Sequence, residues 1–299
     1  MSILLAVAEA GSLSAASRKL GLPLATVSRK MSELETHLST RLFSRSSRGL
    51  AMTEPGQAYL AACRRILDEV AEAERAASGE FSAPKGNLTI TTPVVFGRRH
   101  VLPIVVEFLR AYPEIDIRLV QLDRIVNLME ENIDLAVRIG DLPDSSLRAL
   151  RVGEIRRVLC ASPDYLAREG IPQNLDDLAS HDCITFLTSS GFWTFGRGRA
   201  ERRVAIRSRL VVNTSEAAID AATAGAGLTR VLSYQIADAV TAGQLVIVLQ
   251  DFEPAPWPVS LVHHSLGPAP QKLRAFLDFA TPQLRAALRA RPDPAAPVG

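Results

Sequence analysis

The segment from Ser14 to Met52 constrains the fold of this chain more than any other. Ser14-Ala-Ala-Ser-Arg-Lys-Leu-Gly-Leu reads as a small-residue helix ending at Gly21. Pro23 to Leu50 then reads as a short polar helix with its charges on one face, followed by a basic hairpin from Arg41 to Arg48. Ile3, Leu4, Val7 and Ala8 give one apolar helical stripe, which stops at Gly11-Ser12. Ala15, Ala16 and Leu20 give a second, and Val27, Met31, Leu34 and Leu38 a third. Pro23 is expected in the first turn of the third helix, where its missing N–H costs nothing. Leu42-Phe43 and Leu50–Met52 flank the basic turn as short strands. Helices joined at a glycine turn, with a basic wing behind, are the parts of a winged helix-turn-helix.

Charge supports this reading. The whole chain carries only +2 over 299 residues. Residues 1–53 hold seven Lys/Arg against three Glu, residues 54–85 hold four basic against six acidic, and residues 86–299 hold 23 of each. Positive charge is thus concentrated where a phosphate backbone would want it, although a merely solvated basic face would show the same count. Cys63, Cys160 and Cys183 form no Cys-x-x-Cys pair or Cys/His cluster, which fits free thiols in a reducing compartment. No apolar run approaches the ~20 residues of a membrane span, and MSILLAVAEAG lacks the basic flank of a signal peptide. A cytoplasmic protein with no metal or cofactor is expected.

Thr53 is placed to cap a long helix over Glu54–Phe81. Along it Tyr59, Cys63, Ile66, Val70, Ala73 and Ala77 recur at heptad spacing. Such a seam pairs with a second copy or a neighbouring helix, or packs on its own domain. Ser82-Ala-Pro-Lys-Gly reads as a hinge. From Asn87 the pattern alternates strand and helix: strands over 88–92, 115–119 and 134–140, and helices over 97–111 and 125–132. That order implies parallel pairing. A second set follows, with strands over 156–161, 183–187, 209–212, 228–231 and 246–248. Its helices lie near 163–168, 175–179 and 215–224. A strand over 258–263, a helix over 271–288 and a frayed tail over 291–299 complete the chain.

The motifs AVAEAGSLSAASRKLGL and ATVSRKMSELETHLSTRLFSRSSRGLAMTEPG closely resemble the LysR-type transcriptional regulators. AYPEI at 111–115, DLAVRIGDLP at 134–143 and GAGLTRV at 225–231 are similar to the effector domain of that family. The resemblance covers residues 3–290. It implies a winged helix-turn-helix over 1–53 and a dimerising linker helix and hinge over 54–85. It further implies a two-lobed α/β effector domain of the type 2 periplasmic-binding-protein fold over 86–290, with lobe I about 86–161 and 263–290 and lobe II about 162–262. The implied assembly is a homodimer or homotetramer that binds an interrupted inverted repeat of double-stranded DNA and works with RNA polymerase. Two departures stand out. Met1 opens almost inside the first helix, with Leu4 where Phe is common, as in a shortened or downstream start. Pro23-Leu24 replaces the more usual Ser-Gln, which alters the bases read.

By the resemblance, Leu24, Ala25, Ser28 and Arg29 face the bases, with Arg29 suited to guanine O6 and N7 and the apolar pair to a thymine methyl. Ser12, Ser14, Thr26 and Lys30 suit phosphates, and Arg45 and Arg48 suit backbone or minor groove. Effector contacts are expected at strand ends and helix starts: Thr92, Pro93, Phe96, Arg138, Gly140, Thr214, Ser215 and Gly227. The expected effector is a small carboxylate or aromatic acid. Thr214 and Ser215 equally suit helix caps, and Arg138 a structural salt bridge. The five histidines (37, 100, 181, 263, 264) show no nucleophile or metal spacing, and Gly225-Ala-Gly227 lacks the rest of a nucleotide fingerprint. Enzyme, transport-type solute-binding and DNA-bending architectural readings are therefore set behind a regulator.

Overall fold

A computed structural model describes residues 1–46, 49–78, 83–142, 147–187, 191–196, 201–264 and 269–289. Three short helices open the chain: α1 (Ser2–Ala10), α2 (Leu13–Leu20) and α3 (Leu24–His37). The Ser12 hydroxyl caps α2 by accepting the Ala15 N–H at 3.1 Å. Gly21 takes φ 64°, a left-handed conformation that lets the chain turn tightly into α3. Pro23 is the N-cap residue of α3 rather than part of its first turn, with an extended ψ of 139°. Strands β1 (Phe43–Ser46) and β2 (Gly49–Met52) pair antiparallel as the wing. Helix α4 (Glu54–Ser78) follows, and Thr53 caps it by accepting the Gly56 N–H. Residues 79–81, through which this helix is expected to run, and Ser82 of the expected hinge lie outside the described residues.

The expected heptad seam divides. Leu4, Val7, Ala16, Val27, Met31 and Leu42 form a core that also takes in Leu60 and Cys63, with Tyr59 packed at its edge. The first turns of α4 therefore serve the domain before them, because α1 to α3 need a fourth element to cover their apolar stripes. Ile66 and Val70 stand 38% and 46% exposed. Ala73 and Ala77 lie within α4, but their side chains are outside the described set.

The rest is two α/β lobes. Lobe I is a five-stranded sheet, and its first three strands are β3 (Gly86–Thr92), β4 (Ile115–Gln121) and β5 (Leu135–Ile139). As expected from the strand–helix order, β3 pairs parallel with both β4 and β5. One helical run joins β3 to β4: α5 (Val94–Phe96), a π turn over Gly97–Val101, and α6 (Leu102–Ala111). Strand β6 (Leu147–Ile155) then completes an edge, carrying Arg148, Arg151 and Glu154. Residues 125–132, expected as a helix, form turns instead. Asn127 Oδ1 accepts the Met129 N–H, Asn132 adopts φ 52°, and Val126 and Leu128 reach a small core with Ile133.

Lobe II holds β7 (Arg157–Ala161), α7 (Pro163–Glu169), β8 (Asp182–Phe186) and a hairpin of β9 (Phe192–Phe195) and β10 (Arg202–Ala205). It continues with β11 (Arg207–Val212), α8 (Ser215–Thr223), β12 (Leu228–Leu232), α9 (Ser233–Thr241) and β13 (Val246–Val248). Its sheet runs β11-β8-β12-β7-β13. Strand β14 (Trp257–His264) returns to lobe I between β5 and β6, and α10 (Gln271–Arg289) packs on that lobe.

Both lobe boundaries differ from expectation. Strand β7 pairs with β12 and β13, so residues 157–161 belong to lobe II. Strand β14 pairs with β5 and β6, so residues 257–262 belong to lobe I. The chain crosses at Arg156 and returns after Glu253, and these two side chains clasp each other. Arg156 Nε and Nη2 donate to the two Glu253 oxygens at 2.8 and 2.7 Å.

Cys63, Cys160 and Cys183 are buried free thiols. Burial pushes Cys160 up to about 12, and burial together with the Asp182 carboxylate does the same to Cys183. The thiolate is the reactive form, so both stay protonated and inert well above neutral pH. Iodoacetamide at mildly alkaline pH should therefore leave both unmodified in the folded protein and label both in denaturant. Stoichiometric native labelling at either, read by peptide mass, would contradict this burial. Among the described residues, no helix is long and apolar enough to cross a membrane, and no His/Cys/Asp/Glu group could hold a metal ion.

Candidate nucleic-acid interface and interlobe cleft

Helix α3 presents two faces. Val27 and Met31 are buried in the domain core, whereas Leu24, Ala25, Ser28, Arg29 and Lys30 are exposed. Val27 and Met31 share one stripe of the helix and Ala25 and Arg29 lie well away from it, while Ser28 stands at its border and Leu24, seven residues before Met31, is exposed where the helix begins. Leu24 is 46% exposed, an apolar side chain offered to the outside. Arg29 and Lys30 both reach Glu33, each at 2.9 Å, and chiefly the Lys30 hydrogen bond holds the Glu33 carboxyl below its usual range. Exposed pairs of this kind are weak, so a phosphate or base edge can displace Glu33 from either cation. Ser14 is exposed, Thr26 is half-buried, and Ser12 is engaged as the α2 cap. Arg45 lies in β1 opposite Leu50, its side chain outside the described set, and Arg48 lies outside the described residues. The wing is tied to α3 by Glu35, whose Oε1 accepts the backbone N–H groups of Leu42 and Phe43 at 2.7 and 3.1 Å.

Between the lobes lies a cleft of about 470 Å³. Of the residues expected at an effector site, Pro93, Arg138 and Ser215 line it. The others do not, and each has a structural placement. Thr92 and Phe96 are fully buried in lobe I, and Gly140 sits behind the Trp257 ring. Thr214 caps α8 by accepting the Ala217 N–H, and Gly227 lies against the backbone of Asp182. Arg138 is not in a salt bridge among the described residues. Its Nη2 donates to the Val126 carbonyl at 3.2 Å, and burial holds its guanidinium below the usual range.

Residues 82–285 match the family model described as LysR substrate binding domain. Residues 1–57 match that described as bacterial regulatory helix-turn-helix protein, lysR family. The chain belongs to the LysR family of transcriptional regulators. It is 34% identical over 288 residues to an HTH-type transcriptional regulator of Xanthomonas campestris pv. campestris (strain 8004), covering 94% of this chain and 84% of that one. It is 32% identical over 263 residues to the HTH-type transcriptional activator TtdR of Escherichia coli (strain K12), covering 84% and 82%. The solved structure of CrgA, a LysR-type transcriptional regulator from Neisseria meningitidis, superposes with a TM-score of 0.61 at 30% identity, covering 95% of this chain and 97% of that one.

In this LysR-family regulator the cleft also takes in residues that the sequence reading left out. Arg157, Arg230, Tyr234 and Trp257 all line it. A signal for two of them was present. Arg157 and Arg230 stand in the apolar strands RVLCA and LTRVL, and a charge inside a central, buried strand is uncommon without a reason. Tyr234 and Trp257 carried no comparable mark. They enter the cleft because the chain changes lobes beside them.

Proposed function

We propose that this protein binds a specific double-stranded DNA site through α3 and the wing, as a homo-oligomer on an interrupted inverted repeat, and that a small molecule in the interlobe cleft sets its state. The exposed stripe of Leu24, Ala25, Ser28 and Arg29 on an otherwise anchored helix carries this reading. Such a helix suits the major groove, where Arg29 would read guanine and Leu24 a thymine methyl. The exposed Ile66 and Val70 on α4 support pairing with a second copy. Two-fold pairing would in turn set the symmetry of the site. The two chain crossings at Arg156 and Glu253 support a hinge between the lobes. A ligand favouring one lobe arrangement would shift the population of DNA-binding geometries.

The test is a gel shift on the DNA upstream of the protein's own gene, with excess nonspecific competitor, at a series of salt concentrations. A competitor-resistant complex is expected, with log K falling by about 0.9 per decade of salt for each phosphate neutralised. Binding that competitor removes, or that salt leaves unchanged, would defeat the proposal.

A further inference from the structure

Two arginines on one face of the lobe II sheet point at a ligand. In the antiparallel pair of β7 and β12, Arg230 lies opposite Leu159, and Arg157 opposite Leu232. Residues 157 and 159 share a face, so Arg157 and Arg230 are diagonal neighbours on it. Both line the cleft. Arg230 is only 4% exposed, and its buried Nη2 has no hydrogen-bond partner among the described residues. Arg157 has no carboxylate partner among them either. What each has instead is a ring, with Arg230 over Phe195 at 4.5 Å and Arg157 over Trp257 at 4.7 Å. Nearby Glu253 raises the Arg230 value, but both its oxygens are taken by Arg156. Burial, with the neighbouring Arg157 charge, brings the Arg230 guanidinium down to about 9.

A buried cation is costly unless it is paired, and removing it in favour of an apolar side chain of similar volume is commonly neutral or stabilising. Two adjacent cations without counter-charge are costlier still, since each repels the other. Ring contacts offset only part of this. The arrangement makes physical sense once an anion completes it.

The opposite wall supplies a third cation. Arg138, on β5 of lobe I, is half-buried and, among the described residues, hydrogen-bonded only to the Val126 carbonyl. Of the other charged groups on the lining, Arg124 is engaged by both Glu131 oxygens, and Asp123 accepts the Val94 N–H. Apolar surface from Trp257, Leu232 and Ile139 lines the space as well.

Resting on the cleft reading above, we infer that the cleft takes a small dicarboxylic acid, one carboxylate held by Arg230 and Arg157 of lobe II and the other by Arg138 of lobe I. Guanidinium groups match carboxylates bidentately, so the pair on lobe II forms the stronger anchor. A ligand with a charge at each end ties the two lobes together, and a monocarboxylate or a lone inorganic anion does not.

Isothermal titration of the full-length protein tests this at constant ionic strength. Succinate, glutarate and adipate are each compared with butyrate, pentanoate and hexanoate of matching length, and with inorganic phosphate. At least one diacid should bind more than about tenfold tighter than its monoacid partner and than phosphate. Arg230→Met should remove that binding by more than about tenfold, yet leave the empty protein as stable to heat or more so, because a buried unpaired charge has gone. An Arg230 that merely held the fold would give the opposite melting shift. Equal affinity for monoacids or phosphate, unchanged diacid binding by Arg230→Met, or a lowered melting temperature in that variant would each overturn the inference. Neutral polyols and zwitterionic amino acids form a further arm. If they bind and no diacid does, the cleft reading stands and the dicarboxylate falls. If nothing in either set binds, both fall.

Discussion

Gly227→Ala should unfold or severely loosen lobe II while leaving the DNA-binding domain folded. Gly227 has φ 149°, a backbone region that L side chains rarely adopt. A Cβ there would press into the Asp182 carbonyl, 2.9 Å from its carbon. Backbone is the obstacle, so no rotamer relieves it. Strain of this kind costs about 1–3 kcal/mol, and forced overpacking a further 1–3 kcal/mol or so. The site leads directly into β12, the strand that pairs with both β7 and β8 and carries Arg230. Lobe II has its own cores around Leu159, Trp193 and Leu228 and around Val158, Ala218 and Ile236, distinct from that of Leu4, Val7 and Val27. Thermal melting should show an early transition absent from the parent protein. The same gel shift used for the parent should still detect DNA binding. A variant that melts like the parent would show that β12 and β8 can separate at this point without loss, contrary to their register.

Glu35→Ala should disable DNA binding without disturbing either effector lobe. The half-buried Glu35 carboxylate accepts two consecutive backbone N–H groups, those of Leu42 and Phe43, at the point where the chain leaves α3 for the wing. Hydrogen bonds to a charged group contribute about 1.5–3 kcal/mol each, and Leu42 is itself buried, so water can only partly replace the lost acceptor. The wing would then lose its angle to α3, and the proposed contacts of Arg45 and Arg48 would lose their register on the DNA. Affinity for the operator should fall by at least about tenfold, with Glu35→Gln, which keeps one acceptor oxygen, falling between the two. The measurement is the midpoint of the gel shift, with the melting of the effector lobes as control. Parent-like affinity in Glu35→Ala would mean that α3 alone positions the domain.

Much of the DNA-binding half was legible because its signals are local. Each helix of residues 1–53 is set by spacing within a few turns, and Gly21 marks the end of α2 and Thr53 the start of α4 chemically. The buried stripe of Val27 and Met31 on α3 follows from 3.6-residue periodicity, whereas Leu24, which falls on the same stripe, is exposed where the helix begins. The linker shows where that reasoning stops. Tyr59, Cys63, Ile66 and Val70 are equivalent in a heptad, yet Cys63 is buried in the preceding domain while Val70 is exposed. Periodicity says that a helix has an apolar stripe and does not say what covers it. Residues 125–132 failed for a related reason. Their apolar spacing suits a helix, but Val126, Leu128 and Ile133 meet a separate small core through turns.

Periodicity and turn chemistry in the sequence were enough to determine the winged helix-turn-helix, the long helix after it and the parallel start of the α/β region, because neighbouring residues decide those features. The tertiary structure alone decided which strands belong to which lobe, since β7 and β14 are apolar runs that could join either sheet and only pairing with β12 or β5 assigns them. It also decided the cleft. Arg138, Arg157, Arg230 and Trp257 are widely separated along the chain and meet only because the backbone crosses between the lobes at 156 and again after 253. Strand pairing is non-local, so the charge that most defines the site, the Arg230 guanidinium whose buried Nη2 has no hydrogen-bond partner among the described residues, reads in the sequence as one arginine in an apolar strand.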